Sequence, residues 1–241
     1  MKSVVCFIPC CKSKLSSDKK IGTNNEITKK QISSKLFQLK KARKEIKKMA
    51  SENENIYFAH NTLKTPALNL YKGAFYKQLN LRKIKKEIQS NKLRLFILSA
   101  GYGLVDTYEP LTNYEAQMEG NIARQWRANN LEEIICNTII TINPIQVFGF
   151  FAGSEKWSGS NAKYRYFFVE GLNRAIKKGL NLKLSGCFFR ISGRGTNQIL
   201  GSLGRTLTDL IKSNYSESFI LDIEKNNRID GTAVIGFKKQ S

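Results

Sequence analysis

Val4-Val-Cys-Phe-Ile-Pro9 is an unbroken apolar run that ends in Pro-Cys-Cys-Lys-Ser-Lys. A short run without alternation predicts a buried strand opening into a polar loop. Further on, Thr28-Lys-Lys-Gln31 fits a capping box, and Ile32, Leu36, Leu39, Ile46 and Ala50 fall on one helical face. A second strand is expected at Asn55–Ala59. A helix is expected over Ala67–Leu79, started by Pro66, and another on the face of Leu81, Ile84 and Ile88. Arg94–Ser99, Gln146–Ala152 and Cys187–Ile191 read as three more strands. Helices are expected at Asn130–Ile142, stopped by Asn143-Pro144, at Ala162–Lys177, and at Leu203–Lys212. The stretch Phe219–Phe237, with Asn226-Asn227 and Asp230-Gly231, reads as a hairpin.

Strands alternating with helices predict one α/β domain over residues 1–241, a mostly parallel central sheet flanked by helices on both faces. Residues 15–55 would form a basic helical insert and 215–241 a C-terminal extension. In such sheets ligands bind beyond the carboxyl ends of the strands. Three remote loops fit that position: Cys10–Lys14, Ser99–Asp106 and Ser192–Gln198.

Charge narrows the function. Forty Lys+Arg against nineteen Asp+Glu give a net charge of +21 in 241 residues, with 41% apolar residues for a core. Self-repulsion of that size calls for a polyanionic partner: nucleic acid first, a membrane surface second. Residues 12–48 alone carry thirteen Lys/Arg and three Asp/Glu. Acids at i+4 do not balance the helical lysines, so intrahelical pairing does not explain them. Lys40 and Lys44 on this helix, and Lys83 on the later one, are therefore candidate backbone contacts. No apolar run reaches the length of a membrane span, and the N-terminus lacks a signal-peptide pattern. Five cysteines without framework spacing predict free thiols and a cytoplasmic setting. The single histidine, His60, and the lack of a CxxC pair speak against a metal site and against Ser-His-Asp chemistry. No cofactor is expected, and acid–base work falls to carboxylates.

The loops offer the chemistry. Lys12, Ser13 and Lys14 suit a phosphate. Leu98-Ser-Ala-Gly-Tyr-Gly-Leu-Val-Asp106 has two glycines that admit close approach of a ligand, Tyr102 to stack on a base or bond a phosphate, and Asp106. Asp106, with Glu109 just beyond, is the candidate to activate water or to stabilise positive charge on a sugar. Arg190-Ile-Ser-Gly-Arg194-Gly-Thr-Asn197, followed by Arg205, is a glycine-rich approach to a helix N-terminus and suits phosphate. Among the aromatics, Trp126, Trp157 and Tyr164-Arg165-Tyr166 lie beside basic groups, where one could stack on an extruded base.

Cys10-Cys-Lys-Ser-Lys14, Pro66-Ala-Leu-Asn-Leu-Tyr71-Lys-Gly73, Leu98–Asp106 and Leu203-Gly-Arg-Thr-Leu occur in an order that resembles the YaaA-like (DUF6884) family. That group is distantly similar to the uracil-DNA glycosylase-like fold, a three-layer sandwich. The resemblance implies a DNA-directed protein, and an N-glycosylase of the kind that removes glucosylated hydroxymethylcytosine from phage DNA. By position, Asp106 matches the family's acidic residue, while Lys12, Ser99 and Tyr102 match its cleft positions. The chain lacks the Gly-Gln-Asp-Pro-Tyr-His and His-Pro-Ser segments of uracil glycosylases, so uracil is not the implied base.

The leading expectation is thus a base-excising DNA glycosylase acting on double-stranded DNA. The alternative is a non-enzymatic DNA-binding stress-response protein. An RNA-directed base exchanger is a third, since charge does not choose between DNA and RNA.

Overall fold

The computed structural model describes residues 3–15, 37–51, 56–59, 64–153 and 159–240. The capping box at Thr28–Gln31, together with Ile32, Leu36, His60 and Trp157, lies outside them. The first elements are β1 (Val4–Pro9), α1 (Phe37–Ser51), β2 (Tyr57–Phe58), β3 (Thr65–Pro66), α2 (Ala67–Leu70), α3 (Ala74–Lys77) and α4 (Leu81–Gln89). Next come β4 (Leu93–Ser99), β5 (Gly103–Asp106), β6 (Pro110–Leu111), β7 (Tyr114–Glu115), α5 (Gly120–Ala128) and α6 (Leu131–Ile142). The chain continues through β8 (Gln146–Phe151), α7 (Gly159–Lys177), β9 (Leu184–Ser192), α8 (Thr196–Lys212), α9 (Glu217–Asn226), β10 (Arg228–Asp230) and β11 (Ala233–Lys239).

Seven strands form one sheet in the order β10-β11-β9-β8-β1-β4-β5. Every residue of β1 and of β8 is buried, as the runs Val4–Pro9 and Val147–Phe151 require of strands covered on both faces. β1 pairs in parallel with β4 on one side and β8 on the other, and β8 with β9. The remaining pairings are antiparallel: β4 with β5, β9 with β11, and β11 with β10. The sheet is therefore mixed, not mostly parallel. The parallel centre is flanked on both sides by antiparallel pairs, the β4–β5 hairpin at one edge and the β10–β11 hairpin beside β9 at the other.

Helices cover both faces. α6 and α7 pack together and against the sheet, α7 on β8 and β1. On the other side α4 covers β4, and α8 covers β8, β9 and β11 while packing on α3. Phe7, Phe96, Phe151 and Phe168 join β1, β4 and β8 to α7 in one aromatic layer. No helix among the described residues is long and apolar enough to cross a membrane.

Four sequence expectations change. The helix expected over Ala67–Leu79 breaks into α2 and α3, because the loop after β1 takes its backbone groups: Lys72 N–H donates to Ser13 O, and Leu15 N–H to Leu70 O. Gly103–Asp106 is a strand rather than loop. Ser99 pairs with Gly103, whose φ of +66° suits the hairpin turn. α8 starts seven residues before Leu203 and takes the glycines into the helix. Gly204 lies there against α3, where a Cβ would meet Phe75 O at 2.3 Å. Finally, Glu217–Asn226 is helical, and the terminal hairpin is β10–β11, turning at Gly231. β11 lies inside the sheet, not appended to it.

The Gly103 turn gives a direct test. A Cβ there would sit 2.5 Å from the Trp126 ring on a left-handed backbone. Gly103→Ala should cost about 2–4 kcal/mol, seen as a lower denaturant midpoint with an unchanged m-value.

Candidate functional site

β1, β8 and β9 end on one sheet edge. The helix leading into β4 covers one face and the helix after β8 the other, so the chain diverges to opposite faces beside β1. Crevices form at such switch points. A cleft of about 350 Å³ lies there. Its first wall is the end of β1, Cys10 to Ser13, with Gly73 and Ala74 at the start of α3. Thr196, Asn197 and Leu200 at the N-terminal end of α8 and Tyr164 of α7 form the second wall. Glu115 to Met118 form the third. The first and third of the loops singled out in the sequence thus meet in one cleft.

A buried polar network underlies this edge. The Tyr114 hydroxyl shares hydrogen bonds with Tyr71 OH (2.9 Å) and Ser99 Oγ (2.8 Å), and Ser99 Oγ accepts Tyr102 N–H (3.0 Å). Tyr164 OH lies 3.0 Å from Cys10 Sγ. Burial pushes the hydroxyls of Tyr71, Tyr114 and Tyr164 well above the ordinary tyrosine range. They therefore stay protonated and hold the edge by hydrogen bonding.

A second cleft, of about 340 Å³, is lined in part by Pro110 to Thr112, three residues before Glu115 of the first. Lys40, Arg43, Lys44, Lys47, Lys64 and Tyr102 line it, with Glu109, Pro110, Leu111 and Thr112. α1 makes this wall because Leu39, Ala42 and Ile46 are buried, which turns Lys40, Lys44 and Lys47 to solvent as a neighbouring stripe. Arg43, at the boundary, forms a bidentate pair with Glu109 (2.5 and 3.2 Å) and donates to Tyr102 O and Leu104 O. With that pair neutral, four lysines leave the lining with a charge of +4.

The candidate residues separate accordingly. Lys12 and Asn197 line the edge cleft. Lys40 and Lys44 line the basic cleft. Lys14 is turned inward: its side chain is 3% exposed, with Nζ 4.3 Å over the Tyr114 ring and 3.8 Å from Glu115. Ser99 is wholly buried and acts as a turn anchor. The Tyr102 ring meets Phe58 and Tyr114 edge-on, while its hydroxyl bonds Thr112 Oγ1 at 2.7 Å. Asp106 is not at the rim. It is buried on β5 opposite Phe96, three residues back from the turn, about 10 Å along the strand. Glu109 is committed to Arg43. Arg190 braces the Gly193–Gly195 turn by donating to Gly193 O (2.7 Å), and Arg194 is exposed in that turn. Arg205 pairs with Asp230 at 2.5 Å, and Lys83 lies outside the lining of both clefts. Trp126 is fully buried and donates to Ala100 O, so it does not stack on a guest. The close approach that Gly101 and Gly103 allow is that of the Tyr114 and Trp126 rings, 2.6 and 2.5 Å from an added Cβ, not of a ligand.

A family model for the peroxide stress protein YaaA matches residues 8–141, more than half of the chain. The chain belongs to the YaaA peroxide stress protein family. No curated protein matches it. The family segment runs from the end of β1 through α6. It carries the basic cleft and two walls of the edge cleft, while Tyr164, Thr196 and Asn197 come from beyond it.

Sequence reading missed Glu115, the carboxylate of the edge cleft. It sits in Leu111–Glu119, a stretch with neither helical nor strand periodicity. It also missed the Arg43–Glu109 pair, which joins residues 66 positions apart. Glu109→Gln leaves the Arg43 charge without its counterion, with side chains only 14% and 8% exposed, and should cost about 3 kcal/mol. The double variant Arg43→Met/Glu109→Leu should lose less, which a denaturation double-mutant cycle measures.

Proposed function

We propose that the protein binds nucleic acid through the lysine cleft and admits one extruded nucleotide to the edge cleft, where its base is excised. The observation that carries this reading is that one short segment supplies lining residues to both clefts. Pro110, Leu111 and Thr112 line the basic cleft, and Glu115 to Met118, on the same segment, line the other. A backbone held by Lys40, Lys44, Lys47 and Lys64 therefore runs beside a recess in the size range of ligand pockets. The finer fold reading, a uracil-DNA glycosylase-like three-layer sandwich, is part of this proposal. Its support is the parallel centre of the sheet with helices on both faces.

The carboxylate of the reaction is then Glu115 and not Asp106. Hydrolysis joins a water oxygen to the sugar C1′ and breaks the bond from C1′ to the base nitrogen. Glu115 takes the water proton, Lys12 supplies a proton to the departing base, and Lys14 holds the Glu115 carboxylate from behind. Flipping costs a few kcal/mol of unstacking, which the backbone contacts offset. Phage-type glucosylated hydroxymethylcytosine in double-stranded DNA is the first substrate to try.

One observation favours the second reading, a non-enzymatic DNA-binding stress protein: Asp106, the residue that the family resemblance brings to the chemistry, is outside both clefts. Incubation with normal and modified DNA, then alkali, separates the two. Glu115→Gln should slow abasic-site formation at least ~100-fold. An unchanged rate removes Glu115 from the chemistry. If wild-type protein leaves every modified DNA intact yet binds it, the non-enzymatic reading replaces excision. Competition by tRNA tests the RNA alternative.

Binding is tested apart from chemistry. Replacing Lys40, Lys44, Lys47 and Lys64 together by Ala should flatten the plot of log affinity against log salt by about three to four units of slope, if each neutralises one phosphate. An unchanged slope places the backbone elsewhere.

A further inference from the structure

We propose that Cys10 and Cys11 are an oxidant-responsive dithiol in the wall of the edge cleft, which a hydroperoxide converts into a disulfide between sequence neighbours, and that this conversion controls occupancy of the cleft. The second half rests on the cleft being the nucleotide site. The first half stands without it.

All five cysteines are free thiols. Cys6, Cys136 and Cys187 are buried, and burial pushes the Cys6 thiol up and the Cys187 thiol up to about 12. Cys10 and Cys11 are half-buried, and both line the cleft. Solvent and small solutes therefore reach these two.

Their seats are built. Cys11 Sγ accepts Gly73 N–H (3.2 Å) and donates to Ser13 O (3.0 Å). Position 73 has no room for a side chain, since a Cβ there would lie 2.8 and 2.9 Å from Cys11 Cβ and Sγ. Cys10 Sγ meets the Tyr164 hydroxyl, itself held protonated by burial. The Cys11 proton is committed to Ser13 O, while Cys10 Sγ meets a hydroxyl able to donate to a thiolate, so Cys10 is the attacking group and Cys11 the resolving one.

The chemistry balances with a hydroperoxide as oxidant. The Cys10 sulfur attacks one peroxide oxygen; an S–O bond forms, the O–O bond breaks, and water leaves (an alcohol for an organic hydroperoxide). The Cys11 sulfur then attacks the Cys10 sulfur; the S–S bond forms, the S–O bond breaks, and water leaves. Two thiols lose two hydrogens and the peroxide is reduced. Neighbouring Cα atoms lie only about 3.8 Å apart, below the usual disulfide span, so the bond is strained and easily reduced. Closing it takes the Cys11 proton away from Ser13 O. That carbonyl also accepts Lys72 N–H, so the change reaches the loop that presents Lys12 and Ser13.

The test treats reduced full-length protein with hydrogen peroxide and follows intact mass, peptide fragmentation and affinity for a fluorescent DNA duplex with one mispaired, readily extruded nucleotide. Expected are loss of two hydrogens located at Cys10–Cys11, reversal by dithiothreitol, and a reversible fall in affinity of about tenfold. Cys11→Ser should stop at a Cys10 sulfenic acid that dimedone traps. Unchanged mass, or oxygen added to wild-type protein without an S–S bond, overturns the dithiol. A disulfide that leaves duplex affinity unchanged overturns its control of the cleft. Reduced protein that never binds duplex overturns the nucleic-acid reading, and with it the control step, while the disulfide is judged by mass alone.

Discussion

β1 lies between two parallel partners, and that double pairing is the constraint on which the rest depends. Val4 to Ile8 are almost wholly buried, with backbone bonds to β4 on one side and β8 on the other. A strand held this way has no freedom in register: a slip of one residue would exchange its two faces in an apolar core. Cys10 to Ser13 hang from its end and Ser99 ends its neighbour, while Tyr164 reaches over from the helix after β8. The edge cleft is what remains where these chains part.

The charge surplus has its own support. A stripe of lysines on α1 is tolerable only if the helix is anchored against their repulsion. Burial of Leu39, Ala42 and Ile46 provides part of the anchor. Arg43 adds to it, clasping Glu109 and two carbonyls of the β4–β5 hairpin, and Glu45 accepts from Gln125 and Asn129. One cation spent inward fixes its neighbours outward, and it ties the basic wall to the segment shared by both clefts.

The central strands were legible because apolar runs such as Leu95–Leu98 and Phe148–Phe151 have no other use than burial on two faces. The terminal turn was legible from Asp230-Gly231, though the helix ahead of it was not, since Phe219-Ile-Leu221 is a short apolar run that periodicity alone does not assign. The Leu104-Val105 return was hidden because two apolar residues after a glycine turn make too short a pattern. That shortness is also why Asp106 looked like a loop carboxylate. Convergence of the first and third loops followed from the alternation of strands and helices, whereas the second, Ser99–Asp106, does not line that cleft. Glu115 could not be found that way, because it sits on a two-residue strand whose partner, β2, lies outside the main sheet.

The contact of Gly204 with Phe75 O brings α8 and α3 together with no side chain between them. Each of those helices carries a wall of the edge cleft, so this single approach sets how far apart the two walls stand. Glu115 to Met118 face them from a separate ladder, with Glu115 paired to Tyr57 and close to Lys14. The gauge of the recess is therefore set by an absent side chain, and any larger residue at position 204 would wedge its two jaws apart.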